Sequence, residues 1–405
     1  MKIMIVNTLY YPNRVGGAER SVQQLAESLT ELGHETLVLS TGNGDDHIDH
    51  ISGVKVYYLN HRNLYWGMDS KKRTTMQKLV WHSKDIYNWS MKLKLQEIIE
   101  HEKPDIIHSN NLSGFSVAPW LIAKQKGIPV LHTLRDYYLM CPQSTKFKNG
   151  TNCSRPCASC SVFSEYKKHL TNRGYVQHVV GISQFIRDHH KQHGFFKDTE
   201  SSVIFNGAPI SRLPVENKAG DRDGLVFLYL GRVEEAKGVK HLLDVFSEIN
   251  QVQIWLGGKI HDPAIQSEYE AGKYPGNIKF LGYINPDDVF PEVDALILPS
   301  LWNEPFGRVV FEAYAHGVPV IGANRGGIPE IIHNGETGYV YDPEQREQLK
   351  EILLSFINNP NKLRKLANNC RNYLQEHSLD KTSRQYIRIY HNLLSRNISN
   401  TTRIK

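Results

Sequence analysis

Pro299-Ser300-Leu301-Trp302-Asn303-Glu304-Pro305-Phe306-Gly307-Arg308-Val309-Val310-Phe311-Glu312 is the stretch on which the reading of this chain turns. The apolar run Ala295–Leu298 before it is too short for a helix and reads as a buried strand. That strand ends at Pro299, and a helix begins near Gly307. Glu304 falls in the connecting loop and Glu312 one to two turns into the helix. Phe311, Ala313 and Tyr314 read as buried, and a carboxylate among buried neighbours needs partners. Read otherwise, Glu312 is a solvated or capping helix acid.

Strand, loop and helix recur in both directions from this point. Strands are predicted at Ile3–Val6, Thr36–Ser40, Val54–Leu59, Asp105–His108, Val130–Thr133 and Val179–Ile182. In the second half they fall at Val226–Leu230, Gln253–Leu256, Ile278–Leu281, Ala295–Leu298 and Val318–Ile321. Helical patterns cover Glu19–Leu32, much of Lys71–His101, Phe115–Lys126 and Gln184–His193, and three more lie between Glu344 and Leu394. Alternating βα units imply parallel sheets covered by helices on both faces. Two such series predict an α/β chain of two doubly wound, Rossmann-like domains facing across a cleft. The irregular Phe195–Asp198, the turn Asn206-Gly207-Ala208-Pro209 and the polar Pro214–Asp223 put the boundary near 195–205. The expected division is 1–200, 201–378 and a C-terminal helix and tail, 379–405, with the terminal helices crossing back to the first domain.

At 405 residues, 40% hydrophobic and 22% charged, the chain can bury real cores, and disorder as its main state is excluded. The apolar runs are far shorter than the ~18 residues a membrane span needs. Asn7 interrupts the first apolar run too early for a secretion signal, so a cytosolic location is expected. The net charge of +6 is uneven: 25 Lys and Arg face 18 Asp and Glu over residues 1–200, against 23 and 24 over 201–405. A basic first half suits an acidic partner such as nucleic acid, an anionic membrane or a phosphorylated substrate, or is simply a solvated basic surface.

In doubly wound domains the loops after the strands carry the chemistry. The first, Asn7 to Ala18, brings Gly16-Gly17-Ala18-Glu19 to a helix start, which serves as an anion site or as a helix cap. It is not GxGxxG, so dinucleotide binding is not indicated. In the second half, Leu230-Gly231-Arg232-Val233-Glu234-Glu235-Ala236-Lys237-Gly238 ends a strand at glycine and sets two cations five residues apart. Arg232 can fork two phosphate oxygens and Lys237 adds a point charge; as plain surface cations they would do neither. Glu304 at a strand end can accept hydrogen bonds from sugar hydroxyls. Glu312 can take both hydroxyls of a ribose while the N–H groups of Gly307, Arg308 and Val309 point at phosphate.

These features in this order resemble the retaining GT-B glycosyltransferases of family 4 (glycosyl transferase group 1 type), in a cysteine-containing bacterial subgroup. Glu304 and Glu312 match the E-x7-E motif; Gly16-Gly17-Ala18-Glu19, Gly231-Arg232…Lys237-Gly238 and Gly326-Gly327-Ile328-Pro329-Glu330 match neighbouring signatures. The resemblance spans nearly the whole chain. It implies a UDP- or GDP-sugar donor held mainly by the second domain, a glycan or lipid-linked acceptor held mainly by the first, retention of configuration, and no catalytic metal. Carried across residue by residue, Arg232 and Lys237 hold the diphosphate, Glu304 contacts the donor sugar and Glu312 the ribose. The amides of Gly17 and of Gly307, Arg308 and Val309 touch the phosphates, and Gly16, Gly231 and Phe306 join the donor-binding set. The backbone around Gly282, Tyr283 and Ile284 meets the base, and Asn206 lies at the hinge. Surface-polysaccharide or lipopolysaccharide synthesis follows as the implied role.

The segment Val130-Leu131-His132-Thr133-Leu134-Arg135-Asp136 departs from the pattern of many family members, which read Thr-Leu-His-Asp there. Arg135 stands at the place of the histidine and cannot act as a base. Arg135, Asp136 and His132 are carried as site residues, His132 also reading as a core histidine. Cys141, Cys153, Cys157 and Cys160 follow in a C-x11-C-x3-C-x2-C pattern, which suggests a structural zinc ahead of an iron–sulfur cluster, or else four reduced thiols in a loop. Basic residues mixed with Trp81, Tyr87 and Trp89 suit the inner face of an anionic membrane, or cover a core under a solvated basic face. A zinc-ribbon nucleic-acid binder lacks a recognition helix or stacking platform, so no nucleic-acid partner is expected. A relative that binds nucleotide sugars or partner enzymes without catalysis is the main alternative.

Overall fold

The computed structural model describes residues 1–13, 16–69, 71–209 and 224–402. The polar stretch Pro214–Asp223 lies outside the described residues. The chain divides into two compact units. The first comprises Met1–Lys146, Ser154–Asn206 and Leu379–Lys405, and the second Phe147–Cys153 and Gly207–Ser378.

The first unit is built on β1 (Lys2–Val6), β2 (Glu35–Gly42), β3 (His47–Ile51), β4 (Val54–Asn60), β5 (Ile106–Ser109) and β6 (Val130–Leu134). The second unit takes the short pair β7 (Phe147–Lys148) and β8 (Thr151–Asn152), and β9 (His178–Gly181) and β10 (Glu200–Val203) complete the first sheet. Its strand order is β10-β9-β6-β5-β1-β2-β4-β3, parallel except for the β3–β4 pair. The order reverses between β1 and β5, and the loops after these two strands flank that switch point. Val22, Leu25 and Leu29 of helix Gly17–Glu31 pack on Ile3, Ile5 and Val38. Helix Leu379–Thr402 adds Tyr386, Tyr390 and Leu393 to the same core.

The second sheet contains β11 (Val226–Leu230), β12 (Gln253–Gly257), β13 (Ile278–Gly282), β14 (Ala295–Leu298), β15 (Val320–Ala323) and β16 (Gly338–Tyr341). All pairs are parallel in the order β13-β12-β11-β14-β15-β16. Its switch point lies between β11 and β14. Phe227, Ile254, Leu256 and Ile297 meet Leu242, Phe246, Leu349 and Leu353 from the covering helices. Each such side chain contributes roughly 1.5–3 kcal/mol by burial.

The helical stretch within Lys71–His101 is two helices, Thr75–Ile86 and Trp89–Glu102. They separate because the Asn88 carboxamide accepts the Met91 N–H at 3.1 Å and caps a new helix. A further helix, Ala158–Thr171, begins at Cys157. No described helix is long and apolar enough to cross a membrane.

Candidate active site

The second unit places Arg232 and Lys237 after β11, and Glu304 and Glu312 after β14, its neighbour at the switch point. The Lys237 ammonium donates to Glu304 Oε1, and the Ser300 hydroxyl donates to the same oxygen at 2.8 Å. Lys237 Nζ also lies 4.6 Å from the Trp302 ring centroid. Backbone geometry brings these groups together. Gly238 has φ +70° and a Cβ there would overlap the Pro299 carbonyl; Gly326 has φ +60° and a Cβ there would overlap the Glu304 main chain. At both positions only glycine lets the two loops approach this closely. The Gly327 N–H then donates to the Glu304 carbonyl at 2.7 Å.

Arg232 pairs with Glu234 at 3.0 Å while remaining half exposed, so its guanidinium is within reach of a soluble anion. Glu312 accepts from Arg308 Nε at 3.0 Å across one helical turn. Phe306 and Gly307 are buried, and Val309 opens the helix Val309–Ala315. Gly231 N–H donates to the Gly257 carbonyl at 2.9 Å, and Gly258 N–H to the Gly282 carbonyl at 2.7 Å, which ties the ends of β11, β12 and β13 together. Tyr283, just past β13, is almost fully exposed, and Ile284 packs toward Gly257. This arrangement offers two cations and two carboxylates along one line of strand ends.

In the first unit Arg135 is buried and spoken for. Its Nε donates to Asn110 Oδ1 at 2.7 Å and its Nη1 to Asn206 Oδ1 at 2.6 Å. Asn206 therefore belongs with the first unit, clamped to the end of β6. Asp136 accepts the Tyr138 N–H at 2.8 Å, and burial pushes its carboxyl up to about 6. The His132 ring sits 2.9 Å from the Ser109 hydroxyl, with its ring 5.9 Å from Phe196; burial lowers it to about 3. Gly16 N–H donates to the Glu19 carboxylate at 2.9 Å, and Gly17 begins the first helix, so this pair forms a capped helix start.

Sequence reasoning passed over a buried ionic group beside Asp136. Asp85 accepts Gly114 N–H at 2.8 Å and the Tyr138 hydroxyl at 2.7 Å. The Lys167 ammonium donates to the Tyr138 carbonyl at 3.3 Å and lies 3.4 Å from its ring centroid. Burial lowers Lys167 to about 8 and raises Asp85 to about 6. No spacing links these residues; a helix that begins in a cysteine-rich loop brings Lys167 in.

The metal expectation is corrected. Among the described residues no three or more His, Cys, Asp or Glu side chains gather to hold a metal ion, and neither zinc nor an iron–sulfur cluster is supported. Cys153 leaves with the β7–β8 hairpin into the second unit, while Cys141, Cys157 and Cys160 stay with the first. Cys141 is buried and Cys157 exposed. Cys157 stands at the N-terminal boundary of the helix Ala158–Thr171 without a side-chain cap, and a hydrogen bond with Ser159 lowers its thiol to about 7.

The aromatic and basic residues divide. Trp81 is buried, its indole N–H donating to the Tyr65 carbonyl at 2.8 Å. Met76, Leu79, Trp89, Leu93 and Val162 are exposed, and Lys92 lies 5.1 Å from the Trp89 ring.

Comparison with known proteins shows the family and the fold. Residues 15–212 match the family described as Glycosyltransferase Family 4, and residues 215–373 the family described as Glycosyl transferases group 1. An "Uncharacterized 42.6 kDa protein in cps region" of Klebsiella pneumoniae is 40% identical over 332 residues, covering 82% of this chain and 87% of its own. Sucrose-phosphate synthase from Thermosynechococcus elongatus superposes with a TM-score of 0.76 at 19% identity, over 97% of this chain and 99% of that one. Anabaena HepE in complex with UDP and glucose gives 0.70 at 20% identity, over 96% and 99%. At such identities the likeness shows the fold, which is GT-B.

Proposed function

Because the chain belongs to glycosyltransferase family 4, we propose that it transfers a sugar from a UDP- or GDP-sugar to an acceptor hydroxyl with retention of configuration. The observation that carries this reading is the Lys237–Glu304 pair at the ends of adjacent strands β11 and β14, with Arg232 half exposed on the same loop as Lys237. As the glycosidic bond breaks, negative charge builds on the β-phosphate of the nucleoside diphosphate. Arg232 and Lys237 neutralise that charge without a divalent cation, and fixed donors of this kind are worth about 10²–10³ in rate each. Glu304 holds Lys237 in place before the donor arrives and accepts hydrogen bonds from the sugar hydroxyls. Glu312 takes the ribose hydroxyls.

Retention follows from attack on the face the phosphate leaves, through an oxocarbenium-like ion pair, with the departing phosphate as base. The acceptor, a glycan or a lipid-linked glycan of a surface polysaccharide, is assigned to the first unit. The exposed apolar side chains and lysines of Thr75–Ile86 and Trp89–Glu102 suit an anionic bilayer. Co-sedimentation with anionic but not neutral vesicles is the expected result; none with either removes the membrane from this reading.

A panel of UDP-, GDP- and ADP-sugars, read by thermal shift and by product release, tests the function. Stabilisation with transfer or slow hydrolysis supports it. Stabilisation without turnover points to the binding-only role, which the fully engaged Arg135 favours. No response to any donor overturns both.

A further inference from the structure

The hairpin β7–β8 is an excursion. The chain leaves the first unit after Lys146, contributes Phe147–Cys153 to the second, and resumes the first at Ser154. Its last strand residue, Asn152, is half-buried against the loop that carries Glu304. Asn152 Nδ2 donates to the Leu301 carbonyl at 2.7 Å, and Asn152 Oδ1 accepts the Asn303 N–H at 2.8 Å. One carboxamide thus takes the two main-chain groups that a neighbouring strand would take.

On its other side the same loop is held by the Ala236 carbonyl, which accepts the Leu301 and Trp302 N–H groups at 3.1 and 3.0 Å. Ala236 precedes Lys237 directly. The hairpin turn reaches that segment too: a Cβ on Gly150 would lie 2.9 Å from Glu235 Oε1. The Leu301–Asn303 tripeptide is therefore fixed between the segment bearing the cation and the Asn152 side chain. Glu304 is the next residue, and Trp302, at the centre of the tripeptide, lies against the Lys237 ammonium.

We propose that Asn152 is a positioning residue for the Glu304–Lys237 pair, acting through the backbone of Leu301–Asn303. It touches no substrate. The proposal rests on the glycosyltransferase reading above, because positioning matters only where a reaction is catalysed. A carboxamide is the side chain suited to the task, since it donates and accepts from one rigid plane. Asn152→Asp keeps the shape but sets a carboxylate oxygen against the Leu301 carbonyl; Asn152→Ala removes both bonds. Thr151→Ala is the control, because Thr151 is exposed and its hydroxyl bonds only within the hairpin, to the Lys148 carbonyl at 3.2 Å.

The experiment measures steady-state transfer and hydrogen exchange on full-length wild type and the three variants. Misplacing a catalytic group by about 1 Å costs on the order of 100-fold. Asn152→Ala and Asn152→Asp are expected to lower kcat by about 10- to 100-fold, with donor KM within about threefold. Amides of 301–304 should exchange faster in both, and Thr151→Ala should match wild type. A uniform rise in KM at constant kcat, or unchanged exchange at 301–304, overturns the assignment. Equal kcat in wild type and both Asn152 variants overturns it alone and leaves the enzyme reading standing. A wild type that transfers from no donor sinks the reading, and the assignment with it.

Discussion

The two units share one architecture and spend their polar residues in opposite places. In the second, the core cluster is apolar, Asp294 is buried against the Val226 N–H, and Lys237 pairs with Glu304 past the ends of β11 and β14. In the first, polarity runs into the interior: His108, His132, His178 and His190 are buried, as are Asp85, Arg135 and Lys167. His108 shows the pattern, its Nδ1 2.6 Å from the Tyr390 hydroxyl and its Nε2 2.8 Å from that of Thr133. The contrast teaches that a parallel sheet does not fix where chemistry goes. In the second unit Lys237 and Glu304 pair at strand ends, whereas in the first Asp85, Arg135 and Lys167 are held inside.

The largest effect expected from this contrast is on catalysis. Lys237→Ala should cut transfer by about 10²–10³-fold while leaving the second unit folded; circular dichroism and kinetics together check this. Near-normal turnover would erase the functional half of the comparison.

Next comes acid. Burial holds His132 at about 3, His190 at about 4 and His108 well below its ordinary value. Groups whose folded values lie below their unfolded ones give stability that is present above about pH 6.5 and lost as pH falls toward the folded values. By pH 5 His132 and His190 each cost on the order of 2 kcal/mol, and His108 acts in the same direction. Asp85 and Asp136, raised to about 6, act with the opposite sign. Their stabilisation is complete below about pH 4 and lost above about pH 6, so at pH 5 each returns on the order of 1 kcal/mol. Three histidines outweigh two carboxyls, and the first unit should loosen before the second between pH 6.5 and 5. Region-resolved hydrogen exchange reads this directly; equal loosening of both units breaks the comparison.

A smaller effect is expected at Arg135. Arg135→Ala leaves the Asn110 and Asn206 carbonyl oxygens without their guanidinium donor in a buried site, a cost of about 1–3 kcal/mol. Urea unfolding should show it. Smallest is Cys157→Ser at an exposed position, expected to shift stability by less than about 0.5 kcal/mol. A larger loss would mean that its contacts with Ser159 and Cys160 hold more than an exposed thiol should.

What could be read ahead of the structure follows burial. The central strands are continuous apolar runs, and Ile3–Val6 or Ala295–Leu298 could hardly be anything else. β3 was missed because His47–Ile51 is a polar edge strand with almost no buried face. Glu200–Val203 and Gly338–Tyr341 are edge strands too, with weaker patterns. Helix Ala158–Thr171 was hidden by its cysteines and serines, which read as a metal loop. Glu304, Glu312, Arg232 and Lys237 could be placed after two strand ends because both strands are continuous apolar runs. Asn152 could not be, since it meets its partners about 150 residues along the chain, and nothing in a single sequence marks that pairing.

Helix Leu379–Thr402 has a consequence for how the protein is made. Tyr386, Tyr390 and Leu393 fill the core beneath β1 and β5, so a nascent chain cannot finish its N-terminal half until these residues have left the ribosome. The later-synthesised half has its own core and can close first, while the opening strands wait for their last piece and depend in the interval on whatever shields unburied isoleucine and valine from aggregation.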